Sequence, residues 1–130
     1  MTIDISYESE KEFLYIAVKG QCTLEEYKMA MDEITQSEQY PANINAMWDV
    51  TEQDFSGITS STVQSLINIS KQYPERNTAR VAFIVKNDLA YGMLRMYEML
   101  SSVEESDSSQ NLMVFRSYSE GEKWLLDELS

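Results

Sequence analysis

Residues 80–85 of the chain read Arg-Val-Ala-Phe-Ile-Val. The apolar side chains of this stretch occupy both alternating positions, so a strand formed from it would be buried on both faces. Such strands are typical of the centre of a parallel sheet that helices cover. The run is too short to cross a bilayer, which takes about 20 apolar residues in a helix. The stretch therefore predicts a central strand of an α/β domain.

A helix, a strand and a final helix are predicted after this stretch. Asn87 or Asp88 can cap a helix that extends to residue 100, and a last strand is predicted over 111–115. The segment 119–122, Ser-Glu-Gly-Glu, has the spacing of a capping box and predicts the start of the final helix. The inner face of the helix from residue 88 is predicted to consist of Leu89, Met93, Met96, Tyr97 and Leu100.

The chain before this stretch predicts three strands and two helices. The first two strands are separated by a polar turn, so we expect them to pair as a hairpin. Thr23 and Glu26 have capping-box spacing, which indicates the start of the first helix. In order, the predicted elements are a strand over 3–7, a strand over 13–18, a helix from Thr23, a strand over 45–50 and a helix from Ser56–Thr59 to Pro74.

The order of these elements, ββαβαβαβα, indicates a mixed and mostly parallel sheet covered by helices. The chain has 130 residues, which fits a single domain over 1–130. We predict an α/β fold with a mixed five-stranded sheet and about four helices. The segments 81–85 and 112–115 are expected in the interior of that sheet.

The chain is strongly acidic and contains no histidine. Its formal net charge is −12, from 22 acidic and 10 basic residues. Charge of this sign repels both the nucleic-acid backbone and anionic lipid headgroups, so neither is expected as a partner. No segment is apolar and long enough for stable membrane insertion, and the first residues lack a signal-peptide pattern. We therefore expect a cytoplasmic protein of bacterial type.

Residue types that usually carry catalysis or bind transition metals are missing. Without histidine, neither a Ser-His-Asp nor a Cys-His system can be assembled within the chain. Cys22 is the single cysteine, which excludes an internal disulfide and indicates a small, half-buried residue. Asp49, Glu52 and Asp54 could hold Mg²⁺ or Ca²⁺, but a solvated acidic loop is the simpler interpretation. We predict no enzymatic activity, no cofactor and no bound metal.

Four segments carry a resemblance to a known family: 18–20 (Val-Lys-Gly), 46–50 (Ala-Met-Trp-Asp-Val), 80–85, and 120–125 (Glu-Gly-Glu-Lys-Trp-Leu). In their order along the chain they resemble the STAS domain of anti-sigma-factor antagonists. They are more similar still to the SpoIIAA-like family, also described as STAS/SEC14-related. The resemblance covers nearly the whole chain and implies a STAS-like fold with a regulatory or ligand-binding role.

The loop after the third strand bears on what this resemblance implies. STAS antagonists carry a D-S-S-G-L segment there, and its first serine accepts phosphate. The nearest match in this chain is 54–58, Asp-Phe-Ser-Gly-Ile, in which Phe55 stands at the phosphoacceptor position. A phenyl ring cannot accept phosphate, so a phospho-switched cycle is not expected. Ser56 stays a candidate phosphorylation site near a helix N-terminus, with helix capping as the alternative.

The predicted working surface combines this loop with the helix over 88–100. Both segments follow strands that we expect to be parallel, so they should meet at one end of the sheet. Phe55 is expected as an exposed anchor beside a soft, methionine-rich helix, and the alternative is that all these side chains pack as core. The surface is predicted to consist of Asp54, Phe55, Ser56, Gly57, Tyr91, Met93, Met96 and Tyr97.

Three functions are compatible with these features. The first is a non-catalytic STAS-like module that binds a partner protein or a small apolar, lipid-like ligand. The second is a structural domain that forms a homodimer without a ligand. The third is an enzyme in which carboxylates and tyrosines alone would do the chemistry, and this fits the composition least well.

Overall fold

The computed structural model describes residues 3–104 and 111–126, which form a five-stranded sheet with four α-helices. The predicted α/β architecture is therefore confirmed. The strands are β1 (Ile3–Glu8), β2 (Phe13–Gly20), β3 (Asn45–Gln53), β4 (Val81–Ile84) and β5 (Leu112–Phe115). The helices are α1 (Leu24–Gln36), α2 (Ser60–Ser70), α3 (Asp88–Glu104) and α4 (Tyr118–Leu126), with a short 3₁₀ helix at Pro74–Arg76.

The strands lie side by side in the order of the sequence. β1 and β2 form the predicted antiparallel hairpin, and β2 to β5 are parallel. β4 lies between β3 and β5, so the central position predicted for 81–85 is confirmed. β5 is an edge strand in which Met113 is exposed, so the prediction that 112–115 lies inside the sheet is wrong. This apolar strand is sheltered by contacts with α3 and α4 instead of a second neighbouring strand.

The helices divide unequally between the two faces of the sheet. On the three-helix face, α1, α2 and α3 pack against a core that contains Trp48 and Phe83. On the α4 face, a smaller core contains Met47, Ile84 and Leu125. Successive side chains of a strand point to opposite faces of the sheet. Because β4 is apolar at both sets of positions, it is buried on both faces of the sheet.

Three helix starts agree with the sequence. The capping box at the start of α1 is complete, because the Glu26 amide donates to Thr23 Oγ1 at 3.1 Å and the Thr23 amide donates to Glu26 Oε1 at 2.9 Å. Thr59 caps α2, and it is the last residue of the range 56–59 in which the start of this helix was predicted. The side chain of Asn87 caps α3 by accepting a hydrogen bond from the Ala90 amide at 2.9 Å.

The start of α4 differs from its prediction. The cap is Ser117, whose hydroxyl accepts a hydrogen bond from the Glu120 amide at 3.2 Å, and Ser119 lies within the helix. Ser117 and Ser119 lie two residues apart, so the sequence spacing did not show which of them caps the helix. The helix begins earlier because Tyr118 packs against Tyr15 of the sheet, with ring centroids 6.0 Å apart.

The inner face of α3 also differs. Over residues 88–101 the buried residues are Ala90, Leu94 and Tyr97, whereas Leu89 is 48% exposed and was wrongly assigned to that face. Helical geometry puts positions 90, 94 and 97 on one stripe, and the small Ala90 lets the helix approach the sheet closely. The helix continues to Glu104, four residues beyond its predicted end.

Candidate ligand-binding site

Two cavities lie between the sheet and helices α1, α2 and α3. The amino-end cavity has a volume of about 100 Å³ and lies near the N-terminal ends of β4 and β5. The carboxyl-end cavity has a volume of about 60 Å³ and lies near the C-terminal ends of β2 and β3. Protein interiors leave few voids larger than a water molecule. Two neighbouring cavities on one sheet face therefore mark this region as the candidate site.

Four aromatic residues line both cavities. The ring centroids of Tyr27 and Trp48 are 5.6 Å apart, and Phe83 lies 6.3 Å from Trp48. Tyr97 follows at 6.1 Å from Phe83. Ser70 joins the two tyrosines, because its Oγ lies 3.1 Å from the Tyr27 hydroxyl and 2.6 Å from the Tyr97 hydroxyl. We call these five residues the aromatic waist.

The Tyr97 hydroxyl of the aromatic waist is a neutral hydrogen-bonding group. Burial raises the pKa of Tyr97 well above its ordinary value, so its phenol stays protonated. Ser70 Oγ also donates to the backbone carbonyl of Leu66 at 3.0 Å. The waist thus holds satisfied polar groups in apolar surroundings, which suits orientation of a ligand more than proton transfer.

The carboxyl-end cavity brings together three residues of the predicted surface: Phe55, Met93 and Tyr97. Phe55 is only 6% exposed and packs with the core, so its prediction as an exposed anchor is wrong. The Phe55 ring lies on a loop next to apolar side chains of the core, and burying the ring against them is more favourable than exposing it to water. Tyr97 is buried as well, and Met93 is half-buried. These residues therefore form an inner wall and not an outer surface.

The polar part of the predicted surface lies outside both cavities. Asp54 Oδ1 accepts a hydrogen bond from the Ser56 amide at 2.9 Å, and the Ile58 amide donates to the Phe55 carbonyl at 3.0 Å, which closes a turn through Ser56 and Gly57. Hydrogen bonds from Ser56 also lower the pKa of Asp54. Ser56 lies four residues before the first residue of α2, whose cap is Thr59. The argument that phosphate on Ser56 would lie at a helix N-terminus is therefore wrong.

Two further residues of the predicted surface line neither cavity. Tyr91 is half-buried, and the Arg116 guanidinium stacks over its ring at 4.4 Å. Met96 is half-buried and packs against the core of the three-helix face. The sequence therefore correctly predicted that the loop after β3 and helix α3 lie close together. It did not predict which of their side chains line a cavity.

Arg76 is a residue of the site that the sequence analysis missed. It lines the amino-end cavity and is 9% exposed. Its Nη1 donates to the backbone carbonyl of Ala42 at 3.0 Å and to that of Ile44. Burial lowers the pKa of Arg76 to about 10, which still leaves the guanidinium charged at neutral pH. Sequence offers little signal for it, because a single arginine in a short 3₁₀ helix after Pro74 is typical of a surface turn.

A polar cluster of a different kind lies on the α4 face. The Tyr15 hydroxyl donates to Asp49 Oδ2, while Asp49 Oδ1 accepts from the amide and hydroxyl of Thr51 at 3.0 Å and 2.7 Å. Burial alone would raise the pKa of Asp49, but these hydrogen bonds outweigh it and hold that pKa below its ordinary value. Burial and the bond to Asp49 raise the pKa of Tyr15.

This cluster has a structural explanation. β3 gains one residue relative to β2 between Asp49 and Glu52, and the bonds from Thr51 to Asp49 hold the resulting bulge. The bulge is also why β3 runs to Gln53, three residues beyond its predicted end. Among the residues that the structure describes, no three potential ligands converge as a metal site would require.

Comparison with known proteins shows the fold. No family model matches the chain, and no curated protein matches it. A solved structure of an uncharacterized protein from the DUF3478 family with a SpoIIAA-like fold, from Shewanella loihica PV-4, is similar to it with a TM-score of 0.58. The two share 20% sequence identity, and the match covers 95% of this chain and 91% of that one. Within the described ranges, no helix has the length and apolarity needed to cross a membrane. The resemblance inferred from sequence is confirmed at the level of structure: the chain has a SpoIIAA-like fold.

Proposed function

We propose that this chain is a non-catalytic binding module that holds a small apolar ligand between its sheet and helices α1 to α3. The observation that carries the proposal is the pair of cavities that meet at the aromatic waist. Apolar cavities of about 150 Å³ take up molecules the size of benzene. Each cavity is smaller than that, and the two together are comparable to it.

The chemistry of the lining supports binding over catalysis. Tyr97 stays protonated, so it cannot act as a base. Cys22 borders the carboxyl-end cavity, but burial and the nearby Glu26 raise its pKa to about 11. It is therefore a thiol and not the nucleophilic thiolate at neutral pH. A half-buried thiol without a disulfide partner also suits the reducing cytoplasm, which is the location we propose.

A partner protein or a second copy of the chain is the rival occupant. Large apolar side chains are exposed on α1 and α3, with Met29 and Met99 each 59% exposed. They belong to different elements, and neither borders a cavity. A protein partner would bind to such a surface without entering the cavities. A variant that fills a cavity should therefore weaken ligand binding but not binding of a protein partner.

Titration with phenylpropanol, a neutral apolar probe, tests the proposal. We expect saturable binding that changes the fluorescence of Trp48, which lines both cavities. Leu66→Trp places a larger ring at the wall of the carboxyl-end cavity and should weaken binding about tenfold or more. Ile69→Trp is the matched control, because Ile69 lies on the same helix, is also half-buried and lines neither cavity.

The proposal would be contradicted if phenylpropanol did not bind, or if the two tryptophan variants weakened it equally. Native mass spectrometry of the protein from its own host separates the rivals further. A retained small molecule supports the proposed module, whereas a ligand-free homodimer or a stable protein complex favours the alternatives.

A further inference from the structure

Arg76 is a buried cation without a carboxylate partner among the described side chains. Nη1 is occupied by two backbone carbonyls, those of Ala42 and Ile44. Within residues 3–104 and 111–126, no group accepts a hydrogen bond from Nε or Nη2. Burial of a charge is costly unless it is paired and its donors are satisfied. The guanidinium lines a cavity, and its Nε and Nη2 are not among the fully buried atoms that lack a partner, so these donors open onto accessible space where an anion can pair with them.

The surroundings of Arg76 are polar at one end of the cavity and apolar at the other. Asn77 and Asn111 lie near it in the lining, and the Asn111 side chain donates to the Asn77 carbonyl at 3.0 Å. Further in, the lining changes to Ile67 and the rings of the aromatic waist. A ligand with a charged head and an apolar body would match this change of polarity along one cavity.

We propose that the ligand of this site is an amphipathic monocarboxylate whose carboxylate pairs with Arg76 and whose apolar body lies against Trp48 and Phe83. This inference rests on the proposed function and names its ligand class. The planar guanidinium presents N–H donors in a fork that matches a carboxylate. Lys71 also lines this cavity but is engaged in another contact, so the open donors are those of one guanidinium, which are too few for a dianionic phosphate in a chain with a net charge of −12.

Three probes with one phenylpropyl skeleton test the inference on the wild-type protein. Phenylpropanoate, phenylpropanol and phenylpropylamine differ in headgroup charge and hardly in apolar area. At pH 7 we expect phenylpropanoate to bind about tenfold or more tightly than phenylpropanol by calorimetry, because its hydrogen bonds to Arg76 are charge-assisted. Phenylpropylamine should bind more weakly than either, since its ammonium group would face the guanidinium.

Arg76→Gln should remove the preference for the carboxylate, so that phenylpropanoate and phenylpropanol bind with similar affinity. Arg95→Gln is the matched control, because it changes the charge equally at an arginine that is 45% exposed, pairs with Glu98 and lines neither cavity. If Arg76→Gln does not fold, Arg76→Lys keeps the charge but loses the fork. It should then reduce the preference without abolishing it.

The outcomes separate this inference from the proposed function. Equal affinity of the wild type for phenylpropanoate and phenylpropanol would overturn the inference and leave the binding module standing. An unchanged preference in Arg76→Gln, or in Arg76→Lys where only that variant folds, would also overturn it. Absence of binding by any of the three probes would overturn both proposals together.

Discussion

The two faces of the sheet are packed in opposite ways. On the α4 face, a Cβ atom built on Gly121 would lie 2.5 Å from Ile84 Cδ1, so helix and sheet are in the closest contact that a glycine allows. On the three-helix face, the aromatic waist leaves two cavities against the same strands. Close helix–sheet contact at Gly121 and apolar cavities at the aromatic waist thus occur on opposite faces of the same strands, while the open cleft of the α4 face lies elsewhere, at Tyr15, Asp49 and Glu52.

The largest expected effect comes from truncating one isoleucine on each face. Ile84 and Ile67 are both 2% exposed, but only Ile67 borders a cavity. Ile84→Ala should lower the free energy of unfolding by about 4 kcal/mol, since tightly packed atoms lose all their contacts. Ile67→Ala should cost about 2–3 kcal/mol, because part of its surface already lacks neighbours. Denaturant melts of both variants measure the difference, and equal losses would contradict the contrast between the faces.

A glycine pair gives the next effect. Gly121→Val should cost about 2 kcal/mol, because the new side chain must displace the buried end of Ile84. Gly92→Ala is the control within a helix, since a Cβ there would have no neighbour within 4 Å. It should stabilise the protein by about 0.5–1 kcal/mol through helix propensity alone. Thermal melts that rank the two variants in the reverse order would show that Gly121 is not in close contact with the sheet.

Most of the fold was predictable because it depends on patterns that are local in sequence. A double-sided apolar strand identified β4, and hydrogen-bonding caps identified the starts of α1, α2 and α3. The edge position of β5 was not predictable, because its four residues are as apolar as those of β4 and their shelter comes from helices. Local patterns indicate that a strand is buried, but not which element buries it.

The candidate site was predictable only in part. The expectation that the loop after β3 and the helix after β4 meet at one end of the sheet follows from parallel strands, and Phe55 and Met93 do line one cavity. Whether Phe55 faces water or the core depends on the space left by α1 and α2, which no local pattern records. Arg76 was missed for the same reason. The carbonyls to which it donates, those of Ala42 and Ile44, lie more than 30 residues earlier in the chain, so no local pattern indicates its buried position.

The smallest expected effect tests the polar cluster of the α4 face through its pH dependence. Hydrogen bonds from Tyr15 and Thr51 lower the pKa of Asp49 in the folded state. A depressed carboxyl pKa stabilises the fold above the unfolded-state pKa, and this stabilisation is lost as the pH falls through the folded-state pKa. Tyr15→Phe removes one of these bonds, so it should cost about 1 kcal/mol at pH 7, a value kept low by partial exposure of the pair.

Below the folded-state pKa of Asp49, the same variant should lose almost nothing relative to the wild type, because the carboxyl is then protonated in both. Tyr118→Phe is the control, since Tyr118 packs against the Tyr15 ring, and its hydroxyl accepts a long hydrogen bond from Lys11 at 3.5 Å and has no carboxylate partner among the described residues. Urea melts of both variants at pH 7 and at the lowest pH at which the wild type still unfolds cooperatively measure the effect. An equal loss for Tyr15→Phe at both pH values would assign its contribution to packing. The α4 face would then be held by close contact alone, with no ionic part in its stability.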